Sequence, residues 1–274
     1  MTDLTDWIGS ERTVAETIDA SPVAKLAVIL GRDVPAVETG GTLPPMWHWL
    51  YFSEAAGAAE IGEDGHPRRG TFLPPVPLRR RMFAGSRTEF ARPMVLGSSV
   101  RLRSVVTDVS EREGRSGPLV FVTIRDVYTG DRGPLLSEER DRVHPPATPL
   151  ARVAGGGAPP PAPWSATASF DPVMLFRFSS VTFNGHRIHY DLPYARDVEG
   201  YPERVVHGPL LALLLLELAH SHGAEAPSRF GVRARAPVFC GEEAHLRGTP
   251  SPTGCRLAAY RTDGTAAVTA SFDH

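Results

Sequence analysis

At 274 residues with a formal net charge of -2, the chain is long enough to bury a core without disulfide staples and has no general attraction for nucleic acid or anionic lipid. Its hydrophobic content of 42% and charged content of 22% exclude a disordered or fibrous polypeptide. Lys25 is the only lysine, so nearly all the positive charge is guanidinium, which suits bidentate capture of carboxylate or phosphate wherever arginines cluster. The opening MTDLTDWIGSERTVAE lacks the basic and apolar regions of a signal peptide, so a cytoplasmic location is expected, with Cys240 and Cys255 as free thiols.

Along the chain, SPVAKLAVIL has a Ser-Pro start, apolar residues at helical spacing and Gly31 as a stop, and a second helix is expected around MWHWLYFSEAAGAAE. The period then changes to two. SSVRLRSVVTDV, PLVFVTIRDVY and PLLSEERDRV are expected as strands, with turn chemistry in REGRSG and TGDRG. The Pro/Gly-rich stretch from Pro145 divides the chain into a first domain over 1–144, a spacer over 145–165 and a second domain over 166–274.

The second half repeats the order of the first. A β-like MLFRFSSVTF precedes the string FNGHRIHYD, followed by an apolar helix from about Pro209 to Ser221 and four β-rich segments. The run LLALLLLELA is shorter than the roughly 20 residues a bilayer requires and is apolar on nearly every side, so protein must surround it. Two α+β units, each a sheet wrapped around a helix, satisfy this pattern.

FNGHRIHYD is open to three interpretations. His186, His189 and Asp191 offer metal-ligand atoms, but the spacing matches no closed zinc pattern and Arg187 would place a cation beside the metal. A polar turn whose histidines satisfy local backbone groups is the plain structural alternative. The third is acid/base chemistry.

FNGHRIHYD followed by VVHGPL resembles the MaoC-like hydratases, hotdog-fold enzymes that add water to, or remove it from, acyl thioesters. The resemblance places Asn184 at the position of a catalytic Asp, His189 at the catalytic His and Gly208 at the oxyanion glycine. Asn in place of Asp, and His186-Arg187 in place of Asn-Pro, point to a narrower branch, the type 2 hydroxyacyl-thioester dehydratases and mesaconyl-C4-CoA hydratases. LPPMWHWLYF, GHPRRGTFLPPVPLRRRMFAG and EGRSGPLVFVT resemble the amino-terminal dehydratase-like domain of that branch. The implied fold is an α+β double hotdog, with the second half carrying the catalytic motif and the first widening the acyl pocket.

The chemistry is consistent with these residue types. A helix starting at Gly208 can aim a backbone N–H and its positive dipole end at a thioester oxygen, and His189 can take a proton from water and return one to the α-carbon. Asn184 cannot ionise and is expected to orient water or thioester. His207 either closes the oxyanion site or caps the helix. Arg187 meets an anion or anchors its loop, and Tyr190 flanks the motif. Arg79, Arg80 and Arg81, with Arg68 and Arg69, form either a solvated face or a rim for phosphates or a substrate carboxylate.

The expected activity is therefore reversible hydration of an enoyl-CoA, with a short branched dicarboxylic acyl group such as mesaconyl-C4-CoA implied by the branch. Dehydration of 3-hydroxyacyl groups on acyl carrier protein, thioester hydrolysis and non-catalytic acyl-thioester binding are the alternatives. The expectation includes no metal or cofactor, no nucleic acid or membrane partner, and a homodimer.

Overall fold

The structure, a computed structural model, describes residues 3–32, 40–114, 117–146 and 157–274. The middle of the expected spacer, 147–156, lies outside the described residues. In the first half, β1 (Glu11–Thr17), α1 (Ala20–Ile29), β2 (Met82–Phe90), β3 (Ser99–Gly114), β4 (Gly117–Gly130) and β5 (Gly133–His144) follow in chain order. The second half contains β6 (Trp164–Ser169), α2 (Pro172–Val181), α3 (Gly208–Ser221), β7 (Arg229–Ala234), β8 (Glu243–Ser251), β9 (Gly254–Arg261) and β10 (Ala266–Asp273).

The ten strands among the described residues form one antiparallel sheet in the order β1-β3-β4-β5-β2-β7-β10-β9-β8-β6. The halves join where β2 pairs with β7, from Gly85 opposite Arg233 to Glu89 opposite Arg229. In the second half, strands β6, β8, β9 and β10 wrap α3. Seven residues of α3 are buried, among them Leu210, Leu211, Leu213, Leu215 and Leu218, each contributing roughly 1.5–3 kcal/mol of burial. Among the described residues the first half has one α-helix, the short α1, which packs against α2. One apolar cluster runs through all three helices and both halves of the sheet, including Leu26, Leu102, Leu175, Leu210 and Val232.

Three local expectations need correction. MLFRFSSVTF is not a strand: Asp171 caps a helix by accepting the Met174 N–H at 2.7 Å, Pro172 occupies the first turn, and Leu175, Phe178 and Ser179 recur at helical spacing on the buried face. MWHWLYFSEAAGAAE is not a continuous helix. It holds single 3-10 turns at Trp47–Leu50 and Ala58–Glu60, separated by Phe52 in the left-handed region at φ 62°. Finally, β1, β2 and β6 were not anticipated, and β6 starts at Trp164, inside the stretch read as spacer. Both cysteines are free. Among the described residues no helix is long and apolar enough to cross a membrane.

Candidate active site

The string FNGHRIHYD leaves the end of α2 through Phe183, which adopts a left-handed φ of 49°. Such a conformation costs a bulky residue about 1–3 kcal/mol and occurs where surrounding structure enforces it. Here the Asn184 N–H donates to the Ser179 carbonyl at 2.8 Å, and Asn184 Oδ1 accepts the His186 N–H at 3.0 Å. That Asx turn feeds one 3-10 turn, Arg187–His189. Ile188 is buried with Tyr194, Tyr201, Val205 and Phe239, and this apolar plug fixes the turn from below.

The first half clamps the same turn from the other side. The Arg187 N–H donates to the Asp64 carbonyl at 2.9 Å and its guanidinium to the Glu63 carbonyl at 3.0 Å. Gly65 and Gly185 touch backbone to backbone: a Cβ on Gly65 would lie 1.9 Å from the Gly185 oxygen, and Gly65 also has φ +86°. Only glycine permits both.

This clamp aligns four imidazoles. His66 lies 4.8 Å from His186, His186 is edge-on to His189 at 5.4 Å, and His189 stacks on His207 at 3.6 Å with 20° between planes. His189 Nδ1 is 2.7 Å from the Val205 carbonyl oxygen. A carbonyl only accepts, so Nδ1 carries the hydrogen and Nε2 presents a lone pair. Burial draws His189 down to about 4, partly opposed by that backbone hydrogen bond. Burial also holds His66, His186 and His207 well below the usual imidazole range, and the Arg81 and Arg142 charges reinforce this at His66. All four rings are therefore neutral near pH 7.

His207 Nε2 lies 2.9 Å from Ser179 Oγ, while its Nδ1 is buried without a partner. The next residue, Gly208, begins α3; its N–H makes no hydrogen bond among the described residues, and Pro209 removes the following donor. A Cβ at Gly208 would come within 3.0 Å of the Phe83 ring, so a side chain there crowds the approach to this N–H.

A cavity of about 240 Å³ lies between the halves. The second half contributes Phe183, Asn184 and Pro209, and the first contributes His66, Phe83, His48, Trp49 and Tyr128. His189 is 7% exposed and is not part of this wall; its ring neighbour His186 lies 4.8 Å from His66, which is. A larger groove of about 630 Å³ along β7, β9 and β10 contains none of the motif residues, so we place the chemistry in the smaller cavity.

On the first-half side the cavity backs onto an unusual strand. Leu136, Glu138, Arg140, Arg142 and His144 share one face of β5, and Glu138 is fully buried. Its carboxylate accepts from Trp49 Nε1 at 3.0 Å and lies 3.0 Å from His48 Nε2. The His48 hydrogen bond and charge hold Glu138 below the usual carboxylate range in spite of burial.

Comparison with known proteins settles the family. The model for "Hydroxyacyl-thioester dehydratase type 2" matches residues 46–240. The chain belongs to that family. It is 39% identical over 276 residues to mesaconyl-C(4)-CoA hydratase of Chloroflexus aurantiacus, covering 97% of this chain and 96% of the relative. A solved MaoC-like dehydratase superposes with a TM-score of 0.73 at 15% identity, covering 99% of each chain. A Mycobacterium tuberculosis protein with a double hotdog fold does so with a TM-score of 0.60 at 15% identity, covering 98% of this chain and 97% of its own. The protein is thus a MaoC-like double-hotdog hydro-lyase of the hydratase/dehydratase class.

For this family member the structure brings Asn184, His186, His189, His207 and Gly208 together but disperses the arginine run. Arg80 is not a rim residue. It is 1% exposed, its guanidinium reaches the Glu199 carbonyl and carboxylate, and it lies over the Tyr201 ring. Burial beside an acid was invisible because Glu199 is remote in sequence. Arg81 is also buried, paired with Asp64 at 2.8 Å, yet it does reach the cavity wall. Arg79 is half-exposed, 3.7 Å from Glu63. Arg187 anchors its own loop, pairing with Asp191 at 2.7 Å and covering the Tyr194 ring, and the exposed Tyr190 donates its hydroxyl to the Gly185 carbonyl.

Sequence reasoning missed His66, which lies within the quoted GHPRRG string, and Ser179, hidden in a segment read as a strand. It also missed the inward charges of β5. Their signal was partial: in PLLSEERDRV Glu138, Arg140 and Arg142 share the parity of Leu136, while Glu139 and Asp141 charge the other face as well. Among the described residues no three or more His, Cys, Asp or Glu side chains converge on a metal site.

Proposed function

We propose that the protein hydrates a short enoyl-CoA reversibly, with His189 as the proton-transfer group, the Gly208 N–H as the oxyanion donor and Asn184 as the water-orienting group. The observation that carries this is the fixed tautomer of His189. Its Nδ1–H is committed to Val205, leaving a neutral Nε2 with a free lone pair on a ring stacked against His207, the residue before the unpaired N–H that starts α3.

Asn184 Oδ1 is occupied by the turn, so its Nδ2 remains as a donor to a water or the thioester. The water oxygen bonds to the β-carbon as Nε2 takes its proton. Negative charge moves to the thioester oxygen, where the Gly208 N–H and the dipole of α3 stabilise it. The proton on Nε2 then passes to the α-carbon, which restores the base. His207, stacked on His189 and tied to Ser179, holds the plane of the reacting ring.

A cavity of about 240 Å³ favours a short acyl group over a long fatty chain. The identity to mesaconyl-C(4)-CoA hydratase over nearly the whole chain supports a branched dicarboxylic group such as mesaconyl-C4. The free edges of the outer strands β1 and β6 favour assembly as a homodimer.

The test is to mix the purified protein with mesaconyl-C4-CoA or crotonyl-CoA and follow the conjugated enoyl absorbance, with products identified by mass. A product one water heavier supports a hydratase. Free CoA thiol points instead to hydrolysis, and binding without turnover to a non-catalytic thioester receptor.

A further inference from the structure

We propose that Arg142 recognises a free carboxylate on the acyl group, and so sets a preference for dicarboxylic over unsubstituted enoyl thioesters. This rests on the hydratase assignment above and adds the residue that reads the substrate. Arg142 lies on β5 directly opposite Phe83 on β2, and both line the cavity. Side chains so paired have Cβ atoms roughly 4.5–5.5 Å apart. The Phe83 ring in turn comes within 3.0 Å of a Cβ placed on Gly208. Arg142 is therefore the cross-strand neighbour of the residue that packs against the proposed oxyanion donor.

The charge arrangement singles out this arginine. Arg12 pairs with Glu54 at 2.6 Å, Arg81 with Asp64 at 2.8 Å and Arg140 with Asp126 at 2.5 Å. Arg68 donates to the Ile61 carbonyl at 3.3 Å. Among the described residues the side chain of Arg142, also on the wall, has neither an ion pair nor a hydrogen bond. Burial, together with the charges of Arg140, Arg81 and Arg12, draws its basicity down to about 9, so it stays cationic at neutral pH in an environment that favours an added anion. Arg142 is partly buried and the carboxylate acting on it, Asp126, is already paired with Arg140, so a ligand carboxylate can engage the guanidinium through two parallel N–H···O bonds.

The surroundings fit a small branched acid. Phe83, Trp49 and Leu102 supply apolar surface in the same cavity for a methyl or short hydrocarbon segment. The nucleotide phosphates of CoA are the other anions the substrate carries, but the pantetheine arm keeps them far from the thioester, while Arg142 lies beside the Phe83–Gly208 contact. The chemistry thus favours a carboxylate on the acyl chain itself.

The experiment measures kcat/KM of the full-length protein, Arg142→Gln and Arg142→Lys on mesaconyl-C4-CoA and crotonyl-CoA, which share CoA and differ in the carboxylate. In Arg142→Gln the mesaconyl-to-crotonyl ratio is expected to fall about 100-fold, a loss typical of an unpaired buried carboxylate, with Arg142→Lys in between. Equal losses on both substrates, or an unchanged ratio, overturn the assignment. Crotonyl-CoA turnover reports on folding within the same assay. If the Gln variant is inactive throughout, the Lys variant decides, since an unchanged ratio there overturns the proposal and a lowered one supports it. A wild-type protein that hydrates crotonyl-CoA but not mesaconyl-C4-CoA overturns this inference and leaves the hydratase standing. Turnover of neither overturns both.

Discussion

The two halves share a sheet but use its inner face in opposite ways. Inner positions of the second half, such as Phe230, Val232, Leu246, Leu257, Val268 and Phe272, are apolar and bury α3. The matching face of β3–β5 carries Ser104, Asp126, Glu138, Arg140 and Arg142. The physical difference is the helix. A long apolar helix requires an apolar cradle and in return presents its amino-terminal N–H to the site. The shorter α1 leaves part of the first sheet uncovered, and charged side chains there form a cavity wall. In the proposed mechanism one half supplies the chemistry and the other the recognition.

The largest effect that can break this division is at His189. Replacing His189 by Ala is expected to lower kcat for enoyl-thioester hydration by roughly 10²–10⁴-fold with little change in melting temperature. Retained activity, together with loss in a His66→Ala variant, would move the base to the first half. Next is the buried carboxylate behind the cavity. Glu138→Ala leaves His48 and Trp49 Nε1 without their acceptor and is expected to cost about 3–5 kcal/mol, read from urea unfolding. A smaller loss would mean that the charged face of β5 is not part of the first half's packing.

The histidine row gives a graded prediction. The ordinary imidazole value is 6.5, and His189 is drawn down to about 4 with its three neighbours displaced in the same direction. As pH falls below 6.5 the unfolded chain takes up protons first, so stability is full above that value and is lost on the way towards 4. Each ring contributes up to ~1.4 kcal/mol per pH unit, and the urea midpoint should drop between about pH 7 and pH 5. A flat midpoint would show that the rings are already protonated or solvated. The smallest effect is at Arg79, half-exposed, where Arg79→Ala should change stability by less than about 0.5 kcal/mol in the same assay.

Much of the site was legible because its residues are adjacent in sequence. Asn184, His186 and His189 fall within one turn, and Gly208 opens a helix whose apolar run cannot be mistaken. The β-hairpins were legible because their period of two is sustained and glycines mark their ends. What escaped depended on partners far along the chain. Arg80 looked like surface until Glu199 placed it inside, and His66 acquires a role only through the contact of Gly65 with Gly185. The helix α2 escaped for a local reason: MLFRFSSVTF is rich in β-forming residues, and the deciding Asp171-Pro172 start lies just before it.

The account stands most directly on one measurement, turnover of mesaconyl-C4-CoA in oxygen-18 water by the wild-type protein and His189→Ala, with products analysed by mass. The account predicts an intact CoA thioester carrying one labelled oxygen on the acyl chain, formed by the wild type and almost absent with the variant. Labelled free acid with released CoA, or equal labelled product from both proteins, would contradict it.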